Sequence, residues 1–187
     1  MSNGFSLDVQ ADFKEVEKML KHLDKKIITQ ATTTTLNRVA KSVQSLAVKL
    51  LAKDIGLKQK EVRKYVTVRK ANWNNLYSSV EANGKRVPVH KLSAKQTKSG
   101  VTYRGQDGKR RHIPGAFIQT IRVDGVPGAY KRKGKERFPV VFLRTVSIPH
   151  VFIQDAINKA LLQVAQERWN KEFPHQVNYR LKKAGYA

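Results

Sequence analysis

An α+β fold is what this 187-residue sequence predicts: N-terminal and C-terminal helices packed on a small, mainly antiparallel sheet with long basic hairpin loops. Three observations predict it. Apolar residues recur at spacings of three and four towards both ends of the chain, which marks amphipathic helices. Between those ends β-branched and aromatic residues gather in short runs bounded by Pro and Gly, as strands do. The resulting order of helix, helix, strands, helix lacks the alternation of a βαβ fold. One domain is expected over residues 1–187, with 1–8 and 175–187 as flexible termini.

Residues 1–8 read as a lead-in. From Asp8 onward, Phe13, Val16, Leu20, Leu23 and Ile27 form one face of a first helix, with Lys14, Glu15, Glu17, Lys18 and Lys21 as its solvated side. Thr32–Thr35 is a candidate break, because β-branched residues lower helix propensity slightly and Thr serves as an N-cap. A second helix follows on Leu36, Val39, Val43, Leu46 and Leu50; two heptads suit an intramolecular contact better than a coiled coil. Gly56 should end it, with a short helix resuming over Lys58–Tyr65. Val66–Arg69, Asn75–Val80 and Val87–Lys91 read as strands, and Asn83-Gly84 as a hairpin turn. Lys95–Gly108 is polar enough for a mobile loop or weak hairpin. Ala116–Ile121 and Val140–Val146 are the densest strand signals, Asp124-Gly125 is a turn dipeptide, and Tyr130–Arg137 is a charged tip between strands. Val151 should open the last helix, whose face of Ile153, Ile157, Ala160, Leu161, Val164 and Trp169 should dock on the sheet or on the Leu36–Leu50 helix. Pro174 should stop it.

Formal net charge is +23, a field that attracts nucleic acid, an anionic membrane surface or an acidic protein. Residues 1–30 carry five Lys/Arg against five Asp/Glu, whereas residues 31–150 carry twenty-six against six. The basic field therefore belongs to the middle of the chain. The absence of cysteine excludes disulfides and thiolate zinc sites. The N-terminus lacks the pattern of a signal peptide, and no apolar run approaches the ~20 residues that span a bilayer, so a soluble protein without a membrane partner is expected.

Two stretches suggest binding. In residues 51–65, Ala52, Gly56 and Val62 have the spacing of a helix-turn-helix, with Lys58, Gln59, Lys60, Arg63 and Lys64 on the would-be recognition helix. That makes a sequence-specific DNA-binding protein the alternative reading; an ordinary helix–Gly–helix corner with basic surface residues carries more weight, since three-residue agreement is common. The second stretch is the cationic tip Lys131, Arg132, Lys133, Lys135 and Arg137, joined by Lys109, Arg110 and Arg111. Such clusters bind phosphates without reading sequence, or mate with an acidic face of a neighbouring subunit, and composition weights the two equally. Catalysis is poorly supported: His22, His90, His112, His150 and His175 are scattered, and the carboxylates of the basic region are isolated. No metal, cofactor or catalytic set is expected.

Several motifs in order carry a family resemblance. Leu36-Asn37-Arg38-Val39-Ala40, Gly56–Lys64, Ile113-Pro114-Gly115-Ala116-Phe117-Ile118, Phe138-Pro139-Val140 and Ser147–Phe152 resemble the minor tail protein Z family, the tail completion proteins of lambda-like phages and prophages. The resemblance spans roughly residues 30–155. It implies a non-enzymatic virion component that completes the tail at its head-proximal end, assembled in the host cytoplasm. Implied partners are other phage tail and neck proteins and further copies of the chain, with non-specific contact to packaged DNA. The family brings no catalytic residues to carry over, and because the residue 51–65 corner belongs to its pattern, the helix-turn-helix reading loses weight.

Overall fold

A computed structural model describes residues 5–9, 25–84, 86–106, 108–120 and 127–186. The expected helix face from Phe13 to Leu23 and the Asp124-Gly125 turn lie outside these. Helix α1, Lys25–Ile55, runs unbroken through Thr32–Thr35. Thr32, Thr33 and Thr35 pack against the rest of the molecule, although the Thr32 and Thr35 hydroxyls are buried without a hydrogen-bond partner. In addition, the Thr29 and Thr33 hydroxyls donate to carbonyls one turn back, at 2.9 and 2.8 Å. Packing outweighs a small propensity penalty. Leu36, Val39 and Val43 are buried as their spacing requires, and Ala47, Leu51 and Ile55 extend that stripe.

Gly56 ends α1 at φ 77, and the Gly56 and Leu57 amides both donate to the Ala52 carbonyl. Helix α2, Gln59–Val62, is a single turn. Strands β1 (Phe5–Val9), β2 (Val66–Arg69) and β3 (Ser78–Ala82) form an antiparallel sheet ordered β1-β3-β2. A strand thus stands where a lead-in was expected, and β3 begins three residues later than the Asn75 start expected, because Asn72 and Asn75 close a turn on each other. Asn83-Gly84 does not make a hairpin. Asn83 donates to Tyr65, and the expected strand Val87–Lys91 is instead an isolated bridge from Pro88 to Arg144 followed by a 3-10 turn, Val89–Lys91. Val87 and Val89 bond Thr145, Val146 and Leu143 on either side of that bridge, and the 3-10 turn that starts at Val89 ends the pairing.

Strands β4 (Lys95–Thr97), β5 (Gly100–Arg104) and β6 (Arg110–Pro114) form a second sheet, and β7 (Ala116–Gln119), β8 (Gly128–Arg132) and β9 (Val140–Phe142) a third, each antiparallel in that order. The single sheet expected is therefore three small ones. Gln96 ties the second to the third: its Oε1 accepts from the Ile118 amide at 2.7 Å. Beyond Phe142 the chain leaves β9 and bonds residues 87–89 through Leu143, Thr145 and Val146.

Helix α3, Ile148–Phe152, opens on Pro149 in its first turn, and helix α4 runs Asp155–Lys183 with Pro174 inside it. α4 lies antiparallel along α1, since Arg180 meets Thr34 and Glu172 meets Arg38. Ile157, Leu161 and Ala165 are buried in the main core with α1, α3 and the first sheet. A smaller core of Val89, Val101, Ala116 and Ala129 joins the second and third sheets.

Candidate functional site

The β8–β9 hairpin presents the chain's densest run of cations. Its register pairs Tyr130 with Phe142, Lys131 with Val141 and Arg132 with Val140, and the Lys133 amide donates to the Pro139 carbonyl at 3.1 Å. Along β8 Gly128, Ala129 and Tyr130 are buried, and Lys131 and Arg132 are exposed where the strand leaves the core. Tyr130 lies between Phe142 (centroids 5.4 Å apart) and Phe117 (6.1 Å), and Phe142 in turn contacts His90 at 5.9 Å. Gly128 allows this: a Cβ there would stand 2.7–2.8 Å from the Tyr130 and Phe142 rings. An aromatic row thus anchors the hairpin, while Lys131–Arg137 stand exposed beyond it.

Two of these cations lie against aromatic rings. The Arg132 guanidinium lies 5.6 Å from the Phe117 centroid, and that of Arg137 lies 5.7 Å from the centroid of Phe138, itself 58% exposed. Both arginines border a cleft of about 550 Å³ whose other walls are Phe117, Gln119, Thr120, Phe138 and Val140. Its lining holds no carboxylate. A concave surface with an apolar floor and two guanidinium groups can take a phosphate or a carboxylate at its rim.

The remaining predicted site residues fall on other elements. Lys109 precedes β6, and Arg110 and Arg111 lie on it, at the edge of the second sheet; Arg110 donates to the Ser93 carbonyl at 3.3 Å. Lys58 is the N-cap of α2, and Lys60 and Arg63 are exposed at that turn. Lys64 and Lys91 both donate to Glu61, at 2.7 and 2.9 Å, and those bonds hold the Glu61 carboxyl near pKa 2. Glu61 thus holds the corner to the 3-10 turn through Lys91, and Lys64 is spent on the same carboxylate within its own turn. A recognition helix needs length to lie in a major groove, and four residues at 1.5 Å rise give roughly 6 Å. The corner is a helix–Gly–helix bend.

Sequence reasoning missed the aromatic row and the Gln96 tie, because both join residues distant in sequence; Gly128 before Tyr130 was the one local signal. Among the described residues, no cluster of His, Asp and Glu could hold a metal ion, and no helix is long and apolar enough to cross a membrane.

Comparison with known proteins gives a consistent result. The model of the prophage minor tail protein Z family matches residues 13–184. The chain is 25% identical over 179 residues to tail completion protein Z of Escherichia phage lambda, covering 87% of this chain and 91% of that one. It is 26% identical over 137 residues to the tail completion protein of Escherichia phage N15, covering 70% and 72%. No solved structure matches.

Proposed function

The chain belongs to the prophage minor tail protein Z family, and from that premise we propose that it completes a phage tail at the head-proximal end, making it competent to join a filled head. The observation that carries this is the extent of the match, which includes α1, all three strands of the third sheet and α4. Both relatives named above are tail completion proteins. In this reading the chain assembles in the host cytoplasm into the virion, as one of several like copies, with other tail and neck proteins as neighbours. Its task is contact, without a chemical step.

The β8–β9 tip makes that contact electrostatically, with the anionic surface of an adjoining subunit or with DNA phosphates. The anchored hairpin supports it: the base of the tip is held by the buried Tyr130 ring between two half-buried phenylalanines, which lowers the ordering cost of docking. The test is complementation of a phage lacking the gene. Lys131→Ala, Arg132→Ala and Lys133→Ala together should lower the yield of infectious particles by roughly tenfold or more, with the circular dichroism of the purified chain unchanged. Normal yields would remove the tip from the joining step.

A further inference from the structure

Trp73 is 64% exposed. The loop carrying it is nevertheless tied by hydrogen bonds within itself and to α1. The Asn72 amide donates to the Asn75 carbonyl at 2.9 Å, and the Asn72 side-chain oxygen accepts from the Asn74 and Asn75 amides at 3.0 and 2.7 Å. Just before it, Ala71 is buried and clipped to α1: its amide donates to Asn37 Oδ1 at 2.8 Å, and Asn37 Nδ2 donates to its carbonyl at 3.0 Å. A large apolar ring is thus held out into water on a backbone that has already lost its freedom. Such a ring keeps its full burial energy for a partner and spends little of it on ordering. A tryptophan surrounded by polar groups, here Lys70, Asn72 and Asn74, has the anatomy of an interface hot spot.

We propose that Trp73 is an anchor inserted into an apolar pocket of a neighbouring tail protein, at a surface separate from the cationic tip. Lys70 beside it is exposed and residues 69–75 contain no acid, so the pocket it fits carries a carboxylate at its edge. Arg69 is already paired with Glu81, and one ring offers no row for successive bases, which favours protein over single-stranded nucleic acid. This rests on the tail-completion reading.

The test uses the purified full chain and tails isolated from a phage lacking the gene, with co-sedimentation as the readout. Wild type should bind, Trp73→Ala should bind at least about tenfold more weakly, and Trp73→Phe should recover part of the loss. Trp169 is the other tryptophan and stacks on Phe173 at 5.1 Å, so a Trp169→Phe chain reports Trp73 alone. Its emission should move to the blue when tails are added. Wild-type binding matched within twofold by Trp73→Ala would overturn the anchor and leave the tail reading intact. Wild type that does not bind tails would overturn both. A blue shift produced by raising the chain's own concentration, or by an oligothymidylate, would replace the neighbouring protein with a second copy or with DNA and overturn the assignment.

Discussion

Glu61 shows how one side chain can join parts of the fold that sequence keeps apart. It holds Lys64 within its own turn and Lys91 thirty residues away. The hydrogen bond from Lys64, then that from Lys91, lowers its pKa from 4.5 to about 2. A depressed carboxyl stabilises the fold above its unfolded pKa, and that contribution is lost as pH falls from about 4.5 towards 2. Solvent screening limits the contribution to about 1 kcal/mol. Urea midpoints of wild type and Glu61→Gln should therefore differ at pH 6 and converge near pH 2; a constant gap would remove the ion pairs as the cause. Gly100 gives a larger effect. A Cβ there would fall on the Ile113 carbonyl oxygen across the β5–β6 ladder and 2.9 Å from His112 Nε2. Gly100→Ala should cost about 1–3 kcal/mol, read as a lower urea midpoint. At this scale the tip's cations were plain in the sequence because charge is a property of each residue. The Asn37 clip and the Glu61 bridge were hidden, since each spans 30 or more residues.

At the scale of elements, periodicity revealed the stripe of α1 and the buried Ile157 and Leu161 of α4. Val151 opens no last helix, however: it lies in α3, and Ile153, expected on the α4 face, precedes that helix and is 40% exposed. Periodicity also failed where tertiary contact overrode a local signal. Pro174 is a helix breaker by its own chemistry: it lacks the N–H that would bond the Asn170 carbonyl. The helix continues because the residues beyond it bury against α1. Gln176 is 4% exposed and Val177 7%, and Arg180 donates to both Gln176 Oε1 and Thr34 Oγ1 at 2.7 Å. The run Thr32–Thr35 on the facing helix stays helical for the same reason, because its hydroxyl-bearing face is covered. A signal that weakens a helix locally is thus outweighed twice at one interface. Val177→Ala removes two methyl groups from that contact and should cost about 1–2 kcal/mol, lowering the thermal midpoint. An unchanged midpoint would mean that the segment beyond Pro174 adds nothing to the fold. Val87–Lys91 failed in the opposite sense: its β-branched residues suggested a strand, and the 3-10 turn that starts at Val89 cuts the pairing to a single bridge.

For the whole molecule the decisive quantity is the field of +23, and the fold determines where that charge can meet a partner. The three basic groups lie on separate elements: the α1–α2 corner, the edge of the second sheet and the β8–β9 tip. Lys64 is paired with Glu61, whereas Arg132 and Arg137 rest on rings at a cleft without carboxylates. Binding to duplex DNA should therefore be strong at low salt, equal for unrelated sequences, and steeply weakened as salt rises, because only counterion release drives it. A preference of about a thousandfold for one sequence at physiological salt would mean base readout and would contradict the bend at Gly56. Replacing Lys131, Arg132 and Lys133 with alanine removes three charges, leaving +20 of +23. If the tip lies in the DNA footprint, the slope of log K against log salt should fall by roughly two to three, about 0.9 for each phosphate the tip no longer neutralises. That fall is the expected result. A slope unchanged by the substitutions, together with a drop in infectious particles, would place the tip against an acidic protein neighbour and leave DNA to the other basic surfaces.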